Sequence, residues 1–94
     1  LIYIYMESII LAALSNKVRL KLLLCLSRKE QSVTKLIKDC GLSQSAVSQH
    51  LKKLRQAGLV TAKHSGKKIN YRLVSPQAAK LSKQLLNFIR NTKS

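Results

Sequence analysis

The chain has 94 residues, enough for one domain with a modest core, and 18 Lys and Arg against three acidic residues give it a net charge of +15. Glu7, Glu30, Asp39 and two histidines are too few and too scattered to build a catalytic pocket. We therefore predict that the chain is not an enzyme and that it has no cofactor and no small-molecule substrate. The excess of cations predicts a polyanionic partner.

Residues 1–14 are apolar and predict a first helix. The stretch is too short for a membrane span, which takes about 20 apolar residues, and it lacks the basic start of a signal peptide. Its apolar surface, which includes Ile9 and Ile10, is more than a core of this size should need, and a plain core role is the alternative. The chain does not begin with Met, so Met6 is a candidate natural start. Two cysteines without a secretion signal predict free thiols in the cytoplasm.

A second helix is predicted from Ser15 or Asn16 to about Arg28, with a central, leucine-rich apolar face. Its early cations, Lys17, Arg19 and Lys21, are expected to be solvated. A polar connection over residues 28–31 follows. A third helix over residues 32–40, capped by Ser32, has apolar residues at helical spacing and ends before a turn that contains a glycine.

Residues 43–58 predict a helix with two different faces. Val47, Leu51 and Leu54 form an apolar stripe, Ser43 is a suitable N-cap, and Gly58 suits the helix end. The opposite face carries short polar side chains and then cations. Such a face suits base edges and phosphates of DNA, although an ordinary solvated face is the alternative.

Strands over residues 59–63 and 68–73 flank a turn of His64, Ser65, Gly66 and Lys67, which predicts a hairpin wing. In the second strand apolar residues alternate with Lys68, Asn70 and Arg72. The basic helix and hairpin contain no Trp or Phe, which disfavours a membrane surface. The last helix starts with Ser75 as cap and Pro76 at its first position. Its predicted apolar stripe consists of Ala78, Leu81, Leu85 and either Phe88 or Ile89.

The predicted fold class is mostly α with a small β-hairpin: a winged helix-turn-helix in one domain over residues 1–94, with four helices, two strands and a last helix. The chain resembles the ArsR/SmtB family of bacterial regulators at residues 13–20 (ALSNKVRL), 42–51 (LSQSAVSQHL) and 54–60 (LRQAGLV). The resemblance covers roughly residues 7–90. It implies DNA binding as a homodimer through the first and last helices, and repression, although members without a metal site can also activate.

The resemblance also implies two kinds of metal site, and the sequence lacks both. Ser32 and Thr34 stand where metal-sensing members carry cysteines in the third helix, and residues 76–94 contain no Asp, Glu, His or Cys. We therefore predict no metal. Cys25 matches a cysteine of oxidant-responsive members, whose second cysteine in the last helix is missing here. A buried structural cysteine is favoured for Cys25 and Cys40, and a thiol switch at Cys25 is the alternative.

The sequence thus predicts a sequence-specific transcriptional repressor that binds double-stranded DNA as a homodimer, on a pseudo-palindromic operator with half-sites ~34 Å apart. A redox-responsive regulator acting through Cys25 and a general nucleic-acid-binding chromosomal protein are the alternatives. His50 is expected to pack at the helix edge rather than on a phosphate. The predicted DNA-binding residues are Ser45, Ser48 and Gln49 on base edges, Ser43, Gln44, Lys52 and Lys53 on phosphates, and Lys63, His64, Lys67, Lys68 and Arg72 on the flanking backbone or minor groove.

Overall fold

A computed structural model describes residues 2–27 and 29–92, with Ile2 described by its backbone alone. It confirms the predicted fold class and the predicted order of helices and hairpin, and it adds one short strand that was not predicted. The elements are α1 (Ile2–Leu14), α2 (Lys17–Cys25), β1 (Gln31–Ser32), α3 (Val33–Cys40), α4 (Gln44–Gln56), β2 (Val60–Ser65), β3 (Lys68–Leu73) and α5 (Pro76–Asn91).

Helix α2 begins as predicted but ends earlier than predicted. The side-chain oxygen of Asn16 accepts hydrogen bonds from the N–H groups of Val18 and Arg19, which caps the first turn. At the other end, the backbone N–H and the hydroxyl of Ser27 both donate to the carbonyl of Leu24, and this tight turn stops the helix. The predicted end at Arg28 was therefore too late, and Arg28 itself lies outside the described residues.

The three strands form one antiparallel sheet in the order β1-β3-β2. In the hairpin, Val60 pairs with Leu73 and His64 pairs with Ile69. On the other edge of β3, Gln31 pairs with Tyr71. The prediction of a simple polar connection over residues 28–31 therefore missed β1, since a strand of two residues is defined by its partner and shows no periodicity of its own.

The core lies where α2, α3 and α4 meet the base of the sheet. The stripe predicted on α4 is confirmed, because Val47, Leu51 and Leu54 are fully buried there. They pack with Leu22, Leu23 and Leu36 from α2 and α3. Burying a side chain of this size stabilises the fold by about 1.5 to 3 kcal/mol. Because these three residues lie on one side of α4, their burial also determines which face of α4 is exposed.

Helix α5 packs on α2 with a face that only partly matches the predicted one. Ala79 and Ser82 are buried, and the Ser82 hydroxyl donates to the carbonyl of Ala78. Of the predicted stripe, Ala78, Leu85 and Ile89 are half-buried, whereas Leu81 is 42% exposed and Phe88, the alternative to Ile89, is 67% exposed. The helix has apolar residues on two sides, and only the side with small residues allows close approach to α2.

The structure joins Cys25 and Cys40 in a disulfide, so the prediction of two free thiols is wrong here. The ends of α2 and α3 lie side by side, which brings the last residue of each helix together. Over residues 2–27 and 29–92, no helix is long and apolar enough to cross a membrane.

Candidate nucleic-acid interface

The turn between α3 and α4 is short because both helices are capped by their own sequence. Gly41 ends α3 in the left-handed conformation, with φ at 67°, and its N–H donates to the carbonyl of Ile37. Two residues later the Ser43 hydroxyl accepts a hydrogen bond of 3.2 Å from the N–H of Ala46. These caps start α4 at Gln44 and set its direction relative to α3.

The outer face of α4 is polar at its start and basic further along. Ser45, Ser48 and Gln49 are exposed on the first two turns, opposite the buried stripe. Lys52 and Lys53 are exposed one turn later. Short hydroxyl and amide groups suit base edges in a major groove, and flanking cations suit phosphates. The structure thus brings together, on one surface, the residues that the sequence predicts for base contacts.

The wing is fixed to the end of α4 through the backbone. The N–H of Leu59 donates to the carbonyl of Leu54, and the N–H of Val74 donates to the carbonyl of Leu59. Gly66, with φ at 63°, and Lys67 form the turn, whereas His64 lies within β2. The prediction of His64 in the turn is therefore wrong, because β2 continues to Ser65. The predicted wing contacts, Lys63, His64, Lys67, Lys68 and Arg72, are all exposed.

Arg72 is the one of these residues with a described side-chain contact in the sheet. Its Nε lies 3.4 Å from the hydroxyl oxygen of Thr61, its pairing partner on β2. This contact lays the guanidinium along the exposed face of the hairpin. No acidic residue follows Asp39 in the sequence, so the cations of α4 and the wing have no carboxylate on either element to neutralise them. The surface is therefore strongly positive.

Arg19 is a residue whose role the sequence did not reveal. It was expected to be solvated, but its Nε donates to the carbonyl of Ala13 at 2.7 Å and its Nη2 donates to the carbonyl of Ala12 at 2.8 Å. Its Nη1 lies 3.3 Å from Nδ1 of His50, on α4. Arg19 therefore connects the end of α1, the start of α2 and helix α4.

His50 lies half-buried at the edge of α4, as the sequence favoured. Burial and the nearby positive charge of Arg19 lower the pKa of His50 below its ordinary value of 6.5. The imidazole is therefore neutral at pH 7. Because Arg has only donors, the contact assigns Nδ1 as the acceptor and places the ring proton on Nε2. Among the residues that the structure describes, no three His, Cys, Asp or Glu side chains lie together.

A short helix, a capped turn, an exposed polar helix and a basic hairpin define a winged helix-turn-helix of the type found in DNA-binding proteins. Residues 16–62 match the family described as bacterial regulatory protein, arsR family. The chain belongs to this family, which consists of transcription regulators rather than enzymes.

Three proteins of known family or structure are similar to the chain. The probable mercury resistance operon repressor of Streptomyces lividans is 39% identical over 69 residues, which cover 73% of this chain and 55% of the repressor. NolR from Sinorhizobium fredii has a similar structure, with a TM-score of 0.77 at 35% identity over 92% of this chain and 86% of NolR. The homodimeric winged helix-turn-helix DNA-binding domain of Mb0332 from Mycobacterium bovis gives 0.78 at 26% identity, over 95% of this chain and 82% of that domain. The chain spans about half the length of the curated relatives it matches.

Proposed function

We propose that this chain is a sequence-specific DNA-binding regulator that represses transcription, acts as one domain without a metal, and binds its operator in the cytoplasm. One observation carries the proposal: Ser45, Ser48 and Gln49 are exposed on the first two turns of α4, while the opposite side of the same helix is fully buried. This is the part of a recognition helix that contacts base edges in a major groove.

The remaining polar residues of the interface divide by position. In the proposed complex, phosphates on either side of the groove are held by Ser43 and Gln44 at the start of α4 and by Lys52 and Lys53 further along it. The wing extends the positive surface beyond the groove. In the proposed complex the flanking backbone or minor groove is contacted by Lys63, His64, Lys67, Lys68 and Arg72.

We propose that the regulator is a homodimer through α1 and α5. Exposed apolar side chains on these two helices support this, since Tyr3 is 80% exposed, Leu11 68% and Phe88 67%. A monomer that left this much apolar surface in water would be prone to associate. A two-fold axis predicts a pseudo-palindromic operator with half-sites about one helical turn, ~34 Å, apart.

Selection of bound DNA from a random pool tests the proposal. The wild-type chain is expected to recover an inverted repeat, and the variant carrying Ser48→Ala and Gln49→Ala is expected to lose that preference while it still retains DNA through phosphates. Gln56→Ala, an exposed glutamine on the last turn of α4, is the matched control and should recover the wild-type sequence. Recovery of the same sequence by the double variant would contradict the proposal.

A general chromosomal protein is the second candidate, and the charge of +15 favours it. Such a protein would bind preferred and random sequences with nearly equal affinity at a fixed salt concentration.

A reporter gene placed behind the recovered sequence tests whether the chain represses or activates transcription. Expression should fall when the chain is produced, whereas a rise would show activation instead of repression.

A further inference from the structure

The two cysteines of the chain meet outside the proposed DNA-contacting face. Cys25 is the last residue of α2, and Cys40 is the last residue of α3. They lie 15 positions apart in the sequence, and the structure joins their sulfur atoms. The described part of α5 contributes no cysteine to this pair, so the partner of Cys25 belongs to the helix-turn-helix itself.

Open space beside the pair gives a small reagent access to it. A cavity of about 570 Å³ is bordered by Cys25, Lys29, Gln31 and Lys35. A second cavity, of about 300 Å³, is bordered by both cysteines. Cys25 borders both cavities, and Cys40 borders one of them.

The charges around these cavities favour a thiolate. Lys21, Lys29 and Lys35 line them, against the single carboxylate of Asp39. Asp39 is itself paired with Lys35 at 3.9 Å. Lys21 lies one helical turn before Cys25 on α2. A net positive surrounding stabilises the thiolate, which is the nucleophile in disulfide exchange.

We infer that Cys25 and Cys40 are a reversible dithiol–disulfide site whose reactant is a low-molecular-weight disulfide. The Cys25 thiolate attacks one sulfur of the reactant, the reactant's S–S bond breaks, and one small thiolate leaves and takes up a proton. The Cys40 thiolate then attacks the Cys25 sulfur of the mixed disulfide and releases the second small thiol. Two protein thiols are oxidised and one small disulfide is reduced to two thiols.

The bond connects α2 to the first helix of the helix-turn-helix. Cys40 is followed at once by the Gly41 turn and the Ser43 cap of α4, so the closed loop holds α3 in the position that aims the recognition helix. In a reducing cytoplasm such a bond forms only in response to an oxidised thiol pool. This consequence rests on the proposed function, and we expect the bond to stabilise the DNA-binding arrangement.

Oxidised glutathione is the probe for the experiment on the full chain. Oxidation should remove two hydrogens, a mass loss of about 2 Da, without retained glutathione. Closing a loop of this length should raise the Tm on the order of 10 to 20 °C. Cys25→Ser and Cys40→Ser should each retain one glutathione and show no such rise in Tm. Retention of glutathione by the wild-type chain, or an unchanged Tm, would overturn the inference.

Operator binding separates this inference from the proposed function. The reduced wild-type chain tests the function alone, and its failure to prefer any sequence would leave the mass and Tm results standing. The oxidised chain is expected to bind the recovered operator at least as tightly as the reduced chain. Release from the operator on oxidation would overturn the inference that the bond stabilises the binding arrangement. Alkylation of the wild-type thiols before and after reduction provides the same test if the serine variants do not fold.

Discussion

Replacing Arg19 tests whether one side chain connects the first helix to the recognition helix. In Arg19→Met the apolar stem is kept and the three polar contacts are lost. The carbonyl of Ala12 also accepts the Ser15 hydroxyl at 2.8 Å, so it keeps a partner after the substitution. The carbonyl of Ala13 loses its 2.7 Å bond to the guanidinium.

The expected cost is therefore close to that of one hydrogen bond to a charged group in a half-buried position. We expect the free energy of unfolding to fall by roughly 1 to 2 kcal/mol. For a domain of this size that corresponds to a fall in Tm of about 4 to 16 °C. The pKa of His50 should rise towards its ordinary value, since one of the two causes that lower it is removed.

Thermal unfolding followed by circular dichroism at fixed protein concentration measures the first effect, and an NMR titration of the His50 ring measures the second. Lys17→Met is the matched control, because Lys17 is an exposed cation two residues earlier on the same helix. It removes the same charge and should leave the Tm nearly unchanged. Equal Tm values for the two variants, or an unchanged His50 pKa in Arg19→Met, would refute the reasoning.

Three further predictions concern the core, pH and salt. Leu51→Ala removes a fully buried side chain and should lower the free energy of unfolding by about 2 to 5 kcal/mol in urea titrations, against little change for Gln56→Ala. The pKa of His50 is lower in the folded chain than its ordinary value of 6.5, so the unfolded chain binds this proton first as pH falls. The free energy of unfolding should therefore fall between pH 7.5 and 5.5, and His50→Gln should make that fall smaller. Lys52→Gln should reduce the slope of log affinity against log salt by about one for every operator sequence; an unchanged slope would remove Lys52 from the phosphate contacts.

Features that depend on local sequence were predictable. Val47, Leu51 and Leu54 recur at helical spacing, and burying them determines which residues of the helix face outward. Ser43 and Gly41 act on hydrogen bonds within a few residues of themselves. The position of the recognition helix and its polar face therefore followed from the sequence alone.

Features that depend on distant partners were not predictable in the same way. The strand β1 exists because Gln31 meets Tyr71. Arg19 reaches His50, 31 positions later, and Cys25 reaches Cys40 on another helix. Helix α5 presents apolar residues on two sides, and only packing on α2 decides which side is buried. In each case the interaction depends on how the elements pack together, and the periodicity of the local sequence does not show that packing.

The central claim is that the short polar side chains at the start of α4 read base sequence. The most direct measurement is the ratio of affinity for the recovered operator to affinity for random duplex DNA, by fluorescence anisotropy at one salt concentration. The wild-type chain should give a ratio on the order of 10³ or more, and the variant with Ser48→Ala and Gln49→Ala should bring it down by at least tenfold with nearly the same affinity for random DNA. An identical ratio for the two proteins would contradict the claim.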